Sequence, residues 1–217
     1  MEMTVTGERR KFRREGADSR RQALVRATLD LIAEQGVRGA TVRAIAERAD
    51  VTQGLIRHYF STKDELVQEA YLAHMAGLTE QTFAGVQADD PARDRLAALV
   101  VASVTPPVVD AASVGLWAGF LNHVRQDAQM RDVHARTYHD FRDRLERLIV
   151  AALDEDGRTP LPAEARRLAI ACNAVIDGLW LEGGALPEAF APDELIGIGL
   201  HAVGAILGLQ LTESTRT

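Results

Sequence analysis

The basic side chains of this chain are concentrated near its N-terminus, where they could contact phosphate groups. Residues 1–63 contain thirteen Lys and Arg against eight Asp and Glu, a net charge of +5. The remaining residues contain twelve against twenty-three, a net charge of −11, so that the whole chain carries −6. Guanidinium and ammonium groups attract phosphates, so this asymmetry favours a polyanionic partner for the N-terminal end and a different task for the rest.

Side chains that could hold a metal or support catalysis are poorly spaced. His123, His134, His139 and His201 include no pair at i, i+4 spacing and have no Cys partner, which disfavours a metal site. The sequence has no Gly-rich phosphate loop and no nucleophile motif. We therefore predict no metal, no cofactor and no enzymatic activity, and keep an enzyme in the C-terminal part only as an alternative.

Apolar residues recur at helical spacing almost throughout, which predicts an all-α protein. Residues 1–17 are predicted to be a disordered basic tail. A first helix is predicted to start at Asp18 or Ser19 and to stop at Gly36. A capping box of Thr62 and Glu65 is predicted to open a later, long helix. The helices after the first are predicted at about 41–49, 52–60, 62–86, 92–104, 109–126, 130–155, 162–184 and 192–211.

The two short helices between residues 41 and 60 have the features of a helix-turn-helix. Ala46 is small enough for the helices to cross closely at a steep angle. Asp50 falls in the turn, which needs a left-handed conformation that Asp tolerates better than most residues. Thr52 then caps the second helix, whose N-terminal end would enter the major groove of DNA.

Residues 41–66 resemble the DNA-binding signature of the TetR family of bacterial transcriptional regulators. They read Thr-Val-x-x-Ile-Ala-x-x-Ala-x-Val-Thr-x-Gly-Leu-Ile-x-His-Tyr-Phe-x-x-Lys-x-x-Leu, with Asp50 where the family usually has glycine. The resemblance implies a three-helix DNA-binding domain at 18–65, followed at 66–211 by a helical domain for ligand sensing and dimerisation.

The resemblance also implies which side chains contact double-stranded DNA. Arg57 suits a bidentate contact with guanine, Gln53 suits adenine, and Gly54 lets the helix approach closely. For Tyr59, core packing is an equal alternative. The residues expected at base edges and nearby phosphates are Gln53, Gly54, Arg57 and His58, and those expected at phosphates alone are Thr41, Arg43, Thr52, Tyr59 and Lys63.

The C-terminal half resembles the BetI-type regulators, whose family effector is choline. The resemblance rests on the segments Gly115-Leu-Trp-Ala-Gly-Phe120 and Val175-Ile-Asp-Gly-Leu-Trp-Leu181, and the chain departs from the subgroup at Leu121, where a second tryptophan is usual. It implies a pocket for a cationic effector, because aromatic faces and a carboxylate stabilise a quaternary ammonium. An ordinary core stripe is the alternative interpretation of the aromatic residues. The residues expected to line the pocket are Trp117, Phe120, Asn173, Asp177 and Trp180.

The last two predicted helices are strongly apolar and rich in small residues. As an isolated domain they would leave a large apolar patch exposed. The resemblance implies that this pair forms a four-helix bundle across a two-fold axis, so a homodimer is expected. The residues that suggest it are the stripe Leu168, Cys172, Val175, Ile176 and Leu179 and the glycines Gly197, Gly204 and Gly208.

The sequence therefore predicts a ligand-responsive repressor that binds a pseudo-palindromic operator as a homodimer and is released by a small-molecule effector. A ligand-free architectural DNA-binding protein is the alternative. The apolar stretches at 96–124 and 195–211 are interpreted as buried helices rather than membrane spans. The single cysteine, Cys172, fits the reducing cytoplasm.

Overall fold

A computed structural model describes residues 5–213, with side chains from residue 17 onward. That range contains nine α-helices, one short 3-10 helix and no strand, which confirms the all-α prediction. The α-helices are α1 Val5–Gly39, α2 Val42–Arg48, α3 Gln53–Tyr59, α4 Lys63–Phe83, α5 Ala92–Ser103, α6 Ala111–Gln126, α7 Ala128–Glu155, α8 Pro162–Ala185 and α9 Glu194–Leu207, and the 3-10 helix is Pro187–Ala189.

Helix α1 is longer at its N-terminal end than the sequence suggested. It begins at Val5, so residues 5–17, which we predicted to be disordered, continue the helix, while residues 1–4 lie outside the described range. The stretch is rich in Arg, Lys and Glu, which are good helix formers, and like charges alone do not prevent a helix. Gly36 breaks the helix as predicted, with a left-handed φ of 71°.

The chain divides into two compact units. The described residues up to His74, together with Ala118–Val133, form the N-terminal unit, and Met75–Trp117 with the described residues after Val133 form the C-terminal unit. The predicted boundary at residue 65 therefore differs from this division. Residues 118–133 join the N-terminal unit because Phe120 and Val124 are buried there, the Phe120 ring 4.8 Å from that of Tyr71.

The core of the C-terminal unit is formed by α5, α7, α8 and α9. Cys172 and Ile176 of α8 are buried in it, and Leu168 and Val175 pack against it, so four of the five residues of the predicted dimer stripe pack inside their own subunit. Burial also raises the pKa of the Cys172 thiol to about 12, because a thiolate would be poorly solvated there. Gly204 lies against the carbonyl of Leu209, and Gly208 ends α9 in a left-handed conformation. These two glycines therefore shape the chain's own C-terminal turn.

The outward side of α8 and α9 carries the exposed apolar residues. Every large hydrophobic residue that is exposed in the described part of the chain lies between residues 161 and 198. A Cβ added to Gly178 or Gly197 would meet nothing within 4 Å. We call this surface the small-residue face; its members are Ile170, Ala174, Gly178 and Leu181 on α8 and Gly197, Ile198, His201 and Ala205 on α9.

One helix among the described residues is long and apolar enough to cross a membrane by length and composition. It is α8, with a mean hydropathy of 1.2 and 33% of that stretch buried within the chain. Core helices of water-soluble proteins meet the same criterion, and the buried side of α8 packs against α9 and α5.

Candidate functional site

The helix-turn-helix is built by local hydrogen bonds that the sequence had indicated. Thr41 and Thr52 cap α2 and α3, each accepting a 3.2 Å bond at its hydroxyl oxygen from a backbone N–H three residues later. Asp50 takes the left-handed conformation in the turn, with φ 52°. Ala46 and Ile56 are buried where the two helices meet. The turn geometry is therefore fixed even though aspartate replaces glycine.

The residues expected to contact base edges all lie on the solvent side of α3. Gln53, Gly54, Arg57 and His58 are exposed, so nothing in the chain itself prevents them from contacting DNA. The His58 ring packs edge-on against that of Tyr59, 5.2 Å between centroids. Tyr59 is half-buried, which agrees with both roles considered for it.

The residues expected to contact phosphates differ in their exposure and in whether they already have a partner within the chain. Thr41, Thr52 and Arg43 are exposed, but Arg43 forms a 2.8 Å ion pair with Glu47 of its own helix. Lys63 is half-buried and donates a 3.0 Å hydrogen bond to the carbonyl of Val37. An ammonium has two further donors, so this bond is compatible with a phosphate contact.

Arg57 is the free arginine of this surface. Arg43 is paired with Glu47, and Arg48 forms a 2.6 Å ion pair with Glu34. Of the three arginines in the described α2 and α3, only Arg57 is without such a partner. A guanidinium that is already exposed and unpaired loses no internal ion pair when it binds a base or a phosphate.

A cavity of about 600 Å³, counting the part open to solvent, lies wholly within the C-terminal unit. Asp177 is the one carboxylate among the described residues that line it, and these include no Lys or Arg. The lining residues are Met75, Leu78, Thr79, Thr82, Ser103, Val108, Trp117, Thr137, Tyr138, Phe141, Asn173, Ile176, Asp177 and Trp180.

The two tryptophans of the chain meet in this cavity. The Trp117 and Trp180 rings are nearly perpendicular, at 87°, with their centroids 5.8 Å apart. The indole N–H of Trp180 donates a 2.8 Å hydrogen bond to the carbonyl of Val108, which holds the ring in place. A ring face attracts a cation and a ring edge does not, so a bound cation would have to lie over the face of one of these rings.

Asp177 is a half-buried acid held by two neighbours. Asn173 donates a 2.8 Å hydrogen bond to its carboxylate, and Tyr138 donates a second. Burial raises the pKa of Asp177 to about 6, because desolvation of the charged form outweighs these two bonds, which lower it. At neutral pH the cavity therefore holds a carboxylate in a poorly solvated position.

The structure brings four of the five predicted pocket residues together, and Phe120 is the exception. Trp117, Asn173, Asp177 and Trp180 line the cavity. Phe120, one helical turn after Trp117, belongs to the N-terminal unit and is fully buried against Tyr71. It is a core residue and the expectation that it lines the pocket is wrong.

Several lining residues were missed by the sequence interpretation. Tyr138 and Phe141 are three residues apart on α7, and this aromatic pair was a signal that could have indicated them. The hydroxyl residues Thr79 and Thr82 have the same spacing, but threonines in a helix are common and do not by themselves indicate a ligand. Among the described residues no group of three or more His, Cys, Asp and Glu side chains could hold a metal ion.

Family models match both parts of the chain. Residues 24–70 match the model described as bacterial regulatory proteins of the tetR family, and residues 92–208 match that of the BetI-type transcriptional repressor, C-terminal. The second match alone spans more than half of the chain. The chain belongs to the TetR family, with a BetI-type C-terminal domain.

Curated relatives agree with this TetR-family assignment. The chain is similar to the HTH-type transcriptional regulator BetI of Burkholderia ambifaria (strain MC40-6), at 35% identity over 169 residues, 76% of this chain and 81% of that protein. It is 33% identical to BetI of Burkholderia mallei (strain NCTC 10229), over 78% of this chain and 84% of that protein.

Solved structures show the same TetR-family fold. A transcriptional regulator of Pseudomonas aeruginosa PAO1 is similar with a TM-score of 0.80 and 32% identity, covering 88% of this chain and 91% of that one. A regulator of Saccharomonospora viridis, solved in complex with choline, is similar at a TM-score of 0.66 and 18% identity, covering 88% of this chain and 96% of that one.

Proposed function

We propose that this TetR-family regulator represses transcription as a homodimer on a pseudo-palindromic operator and is released when an organic cation binds the cavity of the C-terminal unit. The observation that carries the cationic effector is the position of Asp177, a half-buried carboxylate in an aromatic cavity whose described lining has no basic residue. The choline complex of the distantly similar Saccharomonospora viridis regulator supports the same class of ligand. Operator binding places the protein with the chromosome, in the cytoplasm.

A cation is favoured over a neutral ligand by charge balance. An ionised Asp177 is poorly solvated in the empty cavity, and a bound cation would compensate its charge. Trp117 and Trp180 add cation–π attraction, which contributes about 2 kcal/mol or more when the cation is desolvated. A neutral ligand would gain from burial alone. Release from DNA also requires that this ligand bind two regulator conformations with unequal affinity.

The test uses intrinsic fluorescence, because the only two tryptophans of the chain both line the cavity. Choline and other quaternary amines should change the tryptophan emission and lower the affinity for the operator over the same concentration range. A panel of such amines that leaves both the emission and operator binding unchanged would show that the aromatic residues are only core.

The contacts to bases and to phosphates can be separated by mutation. We expect Arg57→Ala or Gln53→Ala to weaken operator binding by about 1–3 kcal/mol and to relax specificity at one base pair per half-site. Lys63→Ala should weaken binding to all sequences alike and lower the salt slope by roughly 1 per half-site. Titrations of operator and random DNA at several salt concentrations measure both. Equal losses on the two DNAs for Arg57→Ala would mean that Arg57 contacts only phosphate.

Gly54 gives a sharper test of close contact with DNA. A Cβ at this position would meet only the Thr52 hydroxyl, at 3.8 Å, so the fold itself does not require glycine. Gly54→Ala should therefore leave thermal stability unchanged or raise it, since alanine in a helix is favoured over glycine by about 1 kcal/mol. Operator affinity should nevertheless fall, because the methyl group meets the DNA.

The matched control for Gly54 is Gly77→Ala, a helical glycine of the C-terminal unit whose added Cβ meets nothing within 4 Å. It should be equally neutral for folding and should leave operator binding intact. If Gly54→Ala binds the operator as tightly as this control, α3 does not approach the DNA closely at that residue.

We propose that the small-residue face forms the homodimer contact. It is apolar, it is exposed, and its two open glycines would let a second copy approach closely. A two-fold axis through this face would pair α8 and α9 with their copies, and the two recognition helices would then contact half-sites about 10 bp apart or a multiple of it.

A further inference from the structure

A second concave surface of the C-terminal unit is lined mainly by arginines. It shares no described lining residue with the cavity, and its charge is of the opposite sign, with three arginines and one aspartate. Residues 64–217 carry a net charge of −11, so three arginines on one small surface depart from the average of this part of the chain. We call this surface the arginine groove; it is lined by Phe83 of α4, Arg95 of α5 and Asp140, Arg144, Arg147 and Leu148 of α7.

Arg144 is held in place by the protein itself. Its guanidinium forms a 2.7 Å ion pair with Glu80 and a 3.2 Å ion pair with Asp140. It also lies over the Phe83 ring, 5.4 Å from the centroid, and this ring packs edge-on against Phe141, with 5.8 Å between centroids. Because Arg144 and its two carboxylates already have partners, they form a fixed floor, and the free positive charge of the arginine groove belongs to the other two arginines.

Arg95 has a buried donor that nothing in the chain satisfies. Of the described Lys and Arg side chains it alone has a buried nitrogen, Nε, without a hydrogen-bond partner. A buried N–H left unpaired costs free energy, and the cost is larger for a charged group. Arg158 of the same unit shows the contrary arrangement, because its guanidinium donates to the carbonyls of Leu207 and Gly208 at the end of α9. Arg95 therefore does not have the contacts of an arginine that supports the fold.

Arg147 supplies the second unpaired guanidinium. It is exposed and lies three residues after Arg144, on the same side of α7. Neither Arg147 nor Arg95 forms an ion pair with a described carboxylate. Two unpaired positive charges that line one groove repel each other unless an anion lies between them. The planar guanidinium presents paired N–H donors that match the oxygens of a carboxylate or a phosphate.

We propose that the arginine groove binds the oxyanion group, a carboxylate or a phosphate, of a small ligand that is separate from the effector of the cavity. Arg95 and Arg147 donate to its oxygens, and the Nε–H of Arg95 gains the acceptor that the chain does not give it. Arg144 remains paired with Glu80 and Asp140, so these two carboxylates oppose the anion less than free ones would. The site does not depend on the proposed cationic effector, because the two surfaces share no described residue.

Thermal unfolding in three sodium salts of equal ionic strength tests this site. Phosphate and succinate should raise the unfolding midpoint more than chloride does, because an anion that binds only the folded state stabilises it. The salt that acts at the lower concentration identifies phosphate or carboxylate as the preferred group. Arg95→Met and Arg147→Gln should each raise the concentration needed for half of this effect by about tenfold or more, the usual loss for one hydrogen bond to a charged group.

Arg136→Gln is the matched control for charge. Arg136 is an exposed arginine of α7 in the C-terminal unit, outside the arginine groove. Its variant loses the same charge as Arg147→Gln and should keep the full response to phosphate and succinate. The control also retains the stabilisation that such salts give to proteins in general by exclusion from the surface, and any binding of phosphate to the helix-turn-helix.

The stability of the variants in chloride separates binding from folding. Arg95→Met should unfold at the same temperature as the unmodified protein or higher, because it removes a desolvated donor that has no acceptor. Arg158→Met should unfold at a lower temperature, because it leaves two carbonyls at the end of α9 without their donor.

Three results would overturn the anion site. The first is a midpoint that rises no more in phosphate or succinate than in chloride. The second is a full response in both Arg95→Met and Arg147→Gln, or a response that Arg136→Gln loses to the same extent. The third is a midpoint of Arg95→Met in chloride that falls as far as that of Arg158→Met, which would make Arg95 a residue of the fold.

Discussion

Ile198→Glu is expected to convert the protein into a monomer and to weaken operator binding by about a hundredfold or more, the usual gain from linking two binding modules. Ile198 is 42% exposed and lies in the small-residue face beside Gly197, so the substitution removes only part of the packing of this side chain inside the subunit. In a two-fold dimer the two glutamates would be desolvated close to each other, which strongly opposes association. Sedimentation velocity and anisotropy titrations with operator DNA measure the two effects.

Leu161→Glu is the control for this prediction. Leu161 is 73% exposed, the most exposed large hydrophobic residue of the described chain, but it precedes the first residue of α8 and lies outside the small-residue face. The Leu161→Glu variant should remain a dimer with full operator affinity. A stable dimer in the double variant Leu181→Glu, Ile198→Glu, with unchanged helicity, would show that the subunits meet elsewhere.

The helix-turn-helix could be predicted from the sequence because its determinants are local. Thr41 and Thr52 cap helices within three residues, and Asp50 adopts a conformation set by its own backbone and side chain. The sequence could not indicate which basic residues already form an ion pair or a hydrogen bond within the chain. The partners of Arg48 and Lys63, Glu34 and the Val37 carbonyl, are distant in sequence and become neighbours only in the folded unit.

The cavity could be predicted only in part. Asn173, Asp177 and Trp180 share one face of a single helix, so their spacing was enough to group them. Phe120 has the same kind of spacing from Trp117, yet it packs in the N-terminal unit, because the division between the units falls between these two residues. The cavity residues that come from α4 and α5 could not be predicted, because their position depends on how separate helices pack. The periodicity of the sequence within one helix does not indicate that packing.

The two apolar helices at the C-terminus illustrate a similar limit. Helices α8 and α9 have apolar residues on more than one side, so the sequence indicated an interface without showing which side is free. Cys172 and Ile176 belong to the subunit core, whereas Ile170 and Leu181 remain exposed. A test of dimerisation should therefore target the residues that are exposed in the folded chain, such as Ile170 and Leu181, and not Cys172 or Ile176.

Asp177→Asn is expected to raise the thermal stability of the empty protein at pH 8 while weakening its affinity for choline. The folded-state pKa of Asp177, about 6, lies above its ordinary value of 3.8. The folded protein therefore binds a proton between these pH values that the unfolded chain has released, and the ionised form opposes folding above about pH 6. Asparagine removes this charge and keeps one acceptor oxygen, which can still accept a bond from Asn173 or Tyr138. Thermal unfolding at pH 8 measures the gain.

The pH dependence of choline binding isolates the carboxylate. Choline keeps its charge at every pH, so any change in its affinity comes from the protein. If choline binds only the ionised form, a pKa of about 6 for Asp177 weakens binding about tenfold as the pH falls from 8 to 5. Asp177→Asn should bind choline more weakly at pH 8 and should lose this slope, which fluorescence titrations across the range would show.

His134 is a second titratable group, which lies beside Tyr138 on α7. Its ring lies 4.6 Å from that of Tyr138, and burial lowers its pKa, so it gains a proton only at the acidic end of the range. A charged His134 would also oppose a bound cation, in the same direction as protonation of Asp177. Because Asp177→Asn retains His134, the difference between the two pH profiles belongs to Asp177 alone. If the choline affinities of the unmodified protein and of the Asp177→Asn variant change with pH in parallel, the carboxylate takes no part in cation binding. If the affinity of the variant does not change with pH and its stability is raised, the charge of Asp177 lowers the stability of the fold and serves to bind the ligand.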